Sequence, residues 1–351
     1  MPLNFGVNDA LAVKIWSKEL ERDTFHRMWF RDLLGSGTDA IIQMKDDLAK
    51  AQGDSVRFVL RGLLSGAGKT EGQTLMGDEE AMTFLYDTIL INELRHAVEV
   101  PTDINIAQQR FVDADLRSHG KEVLADWFAD RFETCLFTHL CGRSNVTDNR
   151  YRGNNAAIAP STGRVIWAGG KTADEGITST EILDLSVIDV AIEKTATVNP
   201  KIRPGSIEGK RRYAMFVHPY QATDIMRETT ADGWLNINLS KIQGGKESRI
   251  ENYDGYLGTY KNVDIFATKY VDIGANSTTG AAITTVRRAV FCGAQAAVVA
   301  FGKGMANSKF QWSEEQKDYG HALGIAGSTL WGVKKTRYTP DGSTGEDYGV
   351  I

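Results

Sequence analysis

Gly66 to Thr70, GAGKT, has the residue types of a phosphate-binding loop. Such a loop cradles phosphate with backbone N–H groups and a lysine, and needs a glycine five residues before the second one. That position is Leu63, and Gly62 stands one residue out of register. The loop should also open a helix whose N-terminus faces the anion. Glu71, Gly72 and Gln73 follow instead, with no apolar helical period. Cys135, His139 and Cys141 have the residue types of metal ligands, and Cys135 and His139 fall one helical turn apart. Zinc takes four ligands, usually with a close cysteine pair. No second pair is present, and Cys292 is remote. Buried helix cysteines commonly serve as small apolar fillers. His218 stands between an apolar run and Pro219, a strand-to-helix junction where catalytic groups often sit. It has no Gly-x-Ser-x-Gly elbow and no evident partner. Asp46 with Asp47, and Glu79 with Glu80, are adjacent carboxylates, which face opposite ways on a strand. Arg211 with Arg212, and Arg287 with Arg288, are read as solvated or in salt bridges. The expectation is no catalytic residue, no cofactor and no metal.

The 351 residues suffice for one large or two ordinary domains. Charged residues are 24% and hydrophobic ones 42%, as in an ordinary globular protein. The net charge of −5 argues against a nucleic-acid reader. No apolar run of about 18 residues offers a membrane span. The opening MPLNFGVNDALAVKIW lacks the basic region and cleavage site of a signal peptide, so folding in the cytoplasm is expected. Three cysteines give no disulfide framework.

The elements that would position these groups are long. Asn105 to Cys141 carries apolar residues at Val112, Leu116, Val123, Leu124, Trp127, Phe128, Phe132, Cys135, Leu136 and Leu140, steps of three and four that make one helical stripe. Asp115, Lys121, Glu122, Asp126, Asp130 and Glu133 occupy the opposite face. Thr102 or Asp103 can cap its start, and Gly142 can end it in the left-handed region. The helix would span roughly 55 Å. Gly120 is its weak point and a possible kink.

Before it, Asn8 to Leu34 reads as one or two amphipathic helices capped by Asn8, with an apolar cluster at Phe25, Met28, Trp29, Phe30, Leu33 and Leu34 that must pack on its own core or on a neighbouring subunit. Ala40 to Lys45 reads as a strand. Ser55 to Leu64 alternates as a strand does. Ser65 to Asp78 is a glycine-rich tip, and Met82 to Val98 is one long returning strand. An arm of about twelve residues reaches roughly 40 Å. A hairpin alone is marginal in water, so it should lie on another surface, such as a second subunit. After Gly142 come polar loops, a helix over Thr180 to Ala196, a strand Arg212 to His218, a helix from Pro219 to Glu228, a strand–turn–strand over Gly255 to Thr268, strands over Arg287 to Phe301 and within Lys309 to Tyr338, and a weakly acidic tail.

Several of these stretches, in this order, resemble the major capsid proteins of tailed bacteriophages with the Hong Kong 97-type fold, in the podophage-type branch. They are NDALAVKIWSKEL from Asn8, VRFVLRGLLSG from Val56, GDEEAMTFLYDTILINELRHAV from Gly77, LADWFADRFE from Leu124, RGNNA from Arg152 and AVFCGAQAAVVAFG from Ala289. The resemblance covers most of the chain and lies in order and spacing, since none of the stretches is a catalytic motif.

It implies an α+β fold with residues 1–40 as N-terminal arm, 41–53 as the first part of a peripheral domain, 54–100 as an extended loop hairpin, 101–144 as a spine helix, 145–286 as an axial domain, and 287–351 as returning strands and C-terminal tail. The implied function is self-assembly into pentamers and hexamers of an icosahedral shell around double-stranded DNA. The implied partners are further copies, a portal, a scaffolding protein, a decoration or cement protein, and DNA contacted without sequence preference; no membrane is involved. The place is the virion, assembled in the host cytoplasm. Subunit-interface candidates are Trp16, Phe25, Trp29, Phe30, Arg57, Arg61, Lys69, Glu79 and Glu80. The competing readings are an encapsulin-like nanocompartment and a soluble α+β enzyme.

Overall fold

Asp9 starts the first helix. Its side chain accepts from the N–H groups of Leu11 and Ala12, two of the donors that a helix start leaves unpaired. Asn8, the expected cap, instead turns to φ 56° and bonds the backbone of Glu314. The structure is a computed structural model and describes residues 8–46, 55–60, 66–77, 79, 85–100, 116–207, 209–228, 233–234, 255–303, 308–317, 319, 322–339 and 345–351. The expected first third of the long helix (105–115), its proposed caps Thr102 and Asp103, and the candidates Arg61 and Glu80 lie outside the described residues.

In chain order, α1 is Ala10–Arg27, β1 Leu34–Gly35, β2 Ile42–Lys45, β3 Ser55–Leu60, β4 Leu85–Leu90 and β5 Asn92–Val100. The long helix is α2, Leu116–Leu140, followed by the short α3, Asn149–Arg152, and by α4, Leu185–Thr197. Then come β6 Gly205–Ile207, β7 Lys210–Val217, α5 Pro219–Arg227, β8 Tyr256–Tyr260, β9 Val263–Ala267, β10 Ile273–Ala275 and β11 Ala282–Arg287. The last strands are β12 Val290–Cys292, β13 Ala297–Phe301, β14 Phe310–Lys317, β15 Ala322–Lys335, β16 Arg337–Tyr338 and β17 Glu346–Asp347. This is the α+β class expected.

The main sheet runs β1-β2-β13-β15-β14, with β5 on the other flank of β15. Alternation along β13 shows its two faces. Val299 and Phe301 join a core with Leu20 of α1 and Phe128 and Phe132 of α2. Val298 and Ala300 join a second cluster with Val56 and Phe58 of β3 and Ile89 of β4. The helices therefore cover one face and the hairpin the other. Aromatic contacts bind the helical face: Phe132 meets Trp331 at 4.2 Å, Phe128 meets Phe310 at 5.1 Å and Phe25 meets Phe301 at 5.5 Å between ring centroids.

Several expectations are corrected. Met82 to Val98 is not one strand. It breaks at Ile91, where the chain leaves β3 and pairs with β15 as β5. Gly332 makes room for the exit, since a Cβ there would stand 2.2 Å from the Leu90 carbonyl oxygen. Gly120 marks no break in α2. Its missing Cβ lets the helix approach β15, where a methyl would meet Ile325 Cδ1 at 2.9 Å. The polar face of α2 is not all solvated. Lys121 is buried against Glu19 at 2.9 Å and Asp23 at 3.0 Å, and Glu133 accepts from the Trp29 N–H at 2.5 Å. Val123, placed in the apolar stripe, is 56% exposed. Gly142 does take the left-handed conformation, at φ 64°.

A second sheet, β12-β7-β9-β8 with β6 on β7, builds the lobe. Leu185, Ile188 and Ala191 of α4 and Ile225 of α5 pack on Met215, Val217, Val263 and Ile265. α4 starts later than expected, at the cap Asp184, which leaves Ile182 exposed. β12 lies in this sheet, so the chain crosses back to the main sheet only after Cys292. The last residues are not a loose tail. Ile351 and Phe291 exchange two backbone hydrogen bonds of 2.9 Å, and Tyr348 and Val350 are buried.

Candidate functional site

The residues with chemical potential are held in structural roles. Cys135, Cys141 and Cys292 are buried, and burial pushes the Cys135 and Cys141 thiols up to about 12. His139 is buried with its Nε2 at 2.8 Å from the Arg152 carbonyl, and loss of solvent pushes its pKa down to about 4. Among the described residues no group of three or more His, Cys, Asp or Glu side chains is placed to hold a metal. His218 caps α5: its Nδ1 accepts from the Tyr220 N–H at 3.3 Å, and its own N–H donates to Gln221. Gly66 to Thr70 is exposed irregular chain and opens no helix. Arg212 pairs with Asp264 at 2.7 Å and Arg288 with Asp174 at 2.8 Å, inside the lobe.

A cavity of about 630 Å³ lies in the lobe, lined by Trp167, Val187, Met215, Arg287, Phe291 and Ile351 among others. Of its carboxylates, Asp174 is held by Arg288, and Glu181 accepts from Thr178.

The surface features are more distinctive. The hairpin packs its inner face, Val56, Phe58, Leu60 and Ile89, on Val298, Ala300, Tyr338 and Tyr348 of its own chain. Asp87 fastens it by accepting from Lys334 Nζ and, at 3.0 Å, from the Arg337 N–H. Asn155 ties down the exit of β4. Its Oδ1 accepts from the Leu90 N–H at 2.9 Å, and its Nδ2 donates to Leu90 O at 2.8 Å and Val333 O at 3.2 Å. The outer face carries Arg57, Val59, Tyr86 and Leu90 exposed, with the Arg57 guanidinium 4.4 Å from the Tyr86 ring centre. At the tip Leu75 is 59% and Met76 86% exposed.

The interface candidates thus divide. Arg57, Lys69 and Glu79 are exposed on the hairpin. The arm aromatics pack within their own chain. Phe30 is 1% exposed, Trp29 meets Phe216 and Phe266 edge-on at 5.5 and 5.4 Å, Phe25 meets Phe301, and Trp16 stacks on Trp312 at 5.7 Å. Of the two options open for the cluster, its own core takes Phe30 outright, which corrects that candidate: so buried a ring has no surface to offer. Sequence reasoning missed Asn155 and Asp87. The RGNNA turn did draw notice, and its paired asparagines were the available signal, since such side chains readily bond backbone.

No described helix is long and apolar enough to cross a membrane. A family described as phage capsid protein matches residues 4–351. The major capsid protein of Pseudomonas phage KPP25 is 25% identical over 96% of this chain and 93% of its own length. Among solved structures, the capsid of Ralstonia phage GP4 is similar with a TM-score of 0.73 at 28% identity, covering 92% of this chain and 89% of that one. The capsid asymmetric unit of cyanophage Pam1 has a TM-score of 0.65 at 18% identity, covering 93% and 91%.

Proposed function

The chain belongs to the phage capsid protein family and is a phage major capsid protein, and on that footing we propose that its copies gather as pentamers and hexamers of an icosahedral shell around the double-stranded DNA of a tailed phage. The observation that carries this reading is the layering of the subunit. One sheet bears two helices on one face and a hairpin on the other, and the hairpin ends in a tip whose apolar side chains are uncovered by the chain's own described residues. A shell needs a plate with two distinct faces and arms that reach sideways.

In this reading residues 1–40 are the arm, 54–91 the extended loop, α2 the spine, the second sheet with α4 and α5 the axial lobe, and the main sheet, β5 included, the peripheral part. Arg57, Lys69 and Glu79 sit where a hairpin lying over a second subunit would meet it. Trp16, Phe25 and Trp29 help to seat the arm. Many copies per particle let weak contacts suffice. The net charge of −5 leaves the genome ungripped. A portal, a scaffolding protein, a decoration protein and loosely contacted DNA complete the set of partners, with assembly in the host cytoplasm and no substrate turned over. Phage capsid relatives along the whole chain favour this reading over a cargo-holding nanocompartment.

The test is deletion of Ala67 to Gln73. The expected result is a free subunit with unchanged circular dichroism and melting, together with reduced yield or heat resistance of particles in electron microscopy and light scattering. Particles of unchanged yield and heat resistance would count against the hairpin as an intersubunit arm.

A further inference from the structure

We infer that β5 is the strand through which two copies pair across a two-fold axis, extending the main sheet from one subunit into the next. The setting rests on the shell reading; the geometry does not. The main sheet has two flanks, and they are treated differently. On one flank, side chains of and next to α1 take the outward backbone groups of β14. The Trp312 N–H donates to Ser17 Oγ at 3.1 Å, the Glu314 N–H donates to Asn8 Oδ1 at 2.8 Å, and Asn8 Nδ2 donates to the Glu314 carbonyl at 2.5 Å. On the other flank, β5 pairs with β15 from Asn92 to Val100 without a bulge, and among the described residues no strand lies beyond it. Glu93, Arg95, His96, Ala97 and Glu99 are exposed along it, and no proline interrupts it. A straight open ladder is what proteins usually blunt. Among the described residues, one flank is covered and the other is left open.

The strand's own sequence identifies the occupant as a second copy. In an antiparallel pair the groups pointing outward belong to alternate residues, so each residue must face one of its own parity. A two-fold pairing is therefore centred on a residue. Centred on Ala97, it sets Arg95 opposite Glu99 of the partner subunit, and symmetry repeats the ion pair. His96 then faces Val98 of the partner subunit. Centred on His96, it would oppose Glu93 to Glu99 of the partner subunit, twice, with like charges. Centred on Arg95, it forms no ion pair, and centred on Leu94 it sets Glu93 opposite Arg95 of the partner subunit but leaves only Asn92 to His96 of the strand to pair. The helix side of the strand is already engaged: Leu94 and Val98 pack on the core, and His96 stacks on Trp127 at 4.2 Å. Arg95, Ala97 and Glu99 share the opposite side. Glu99 accepts from Lys317 at 2.7 Å and stays half exposed, with room for a second cation. The small side chain at the centre sets no obstacle to approach.

The test is a cysteine at the centre of the pairing, Ala97→Cys in the full chain. Residues directly opposite in a sheet lie within disulfide reach. The expected result is a disulfide-linked dimer on a non-reducing gel from mildly oxidised A97C particles. Glu93→Cys should give none, because its two copies stand about 26 Å apart along the strands. Arg95→Glu on the A97C background should lose the dimer, and adding Glu99→Arg should restore it. Closed particles whose A97C chains remain monomeric would overturn the pairing and leave the shell reading standing. Equal crosslinking at 93 and 97 would overturn it too, since that is a parallel arrangement. A97C dimers in a protein that never forms particles would sustain the pairing and remove the shell reading.

Discussion

Replacing Asn155 should loosen the hairpin at its root. The side chain is 5% exposed and makes three hydrogen bonds to the backbone at Leu90 and Val333. Each contributes about 1 kcal/mol net, so Asn155→Ala should destabilise the free subunit by about 3 kcal/mol. Unfolding entropy of about 2.1 cal/mol/K per residue over this length converts that into a fall in Tm of about 4 °C. Asn155→Asp separates the donor from the acceptor. It keeps the acceptor for the Leu90 N–H but places a carboxylate oxygen against two carbonyls. Protonation would restore a donor, so the folded state should raise this carboxyl above its ordinary value of about 3.9. A pKa raised in the fold gives a stability contribution that is present at low pH and lost as pH rises through the folded pKa. The Asp variant should therefore approach the wild type on acidification, while the Ala variant should not. The assay is urea unfolding of each variant against wild type at each pH, with amide exchange at Leu90. An Asn155→Ala Tm within 1 °C of wild type, or an Asp variant whose deficit does not shrink in acid, would refute the reasoning.

His139, held near 4 by burial against about 6.5 when unfolded, binds a proton on unfolding between those values. The contribution is present above pH 6.5 and lost as pH falls towards 4, about 3 kcal/mol in all, and a fluorescence-monitored pH series should flatten in His139→Gln. Lys335 and Asp347 form an ion pair of 3.0 Å, both at most 2% exposed at the side chain. Asp347→Ala strands the ammonium and should cost about 3–5 kcal/mol by urea unfolding, whereas Lys335→Met with Asp347→Leu should recover only the ammonium's share, since Arg337 and the Ser161 N–H still lose their acceptor. Trp29→Ala should destabilise the free subunit by about 3 kcal/mol, since its ring packs on Phe216 and Phe266 within the chain; a loss confined to particle assembly would return Trp29 to the interface.

Local pattern carried the reading wherever one element decides its own fate. Val56, Phe58 and Leu60 alternate with exposed neighbours as a half-buried strand must. Pro219 and the residue before it mark the start of α5. The sequence was silent where the deciding partner lies far along the chain. Nothing near Ile91 tells that β15 captures the strand there, because the capturing residues are some 230 positions away. Lys121 and Glu133 look like solvated charges until Asp23 and the Trp29 N–H are brought beside them. The C-terminal residues look like a tail because their partners, Phe291 and Gly293, belong to an earlier sheet. The division of interface candidates was hidden for the same reason: an aromatic cluster reads alike whether its own chain or another covers it.

The covering of β14 by Asn8 and Ser17 has a consequence for handling the protein. A side-chain cover is a safety catch that travels with the segment bearing it. Trimming the chain before residue 28, as one might to obtain a tidier sample, would remove the catch and bare Trp312 and Glu314 to any passing strand. The same cut strips Leu20 and Phe25 from the core, so edge-to-edge polymer and loss of folding would arrive together. The start of the chain is thus a guard against disordered aggregation as well as a packing element.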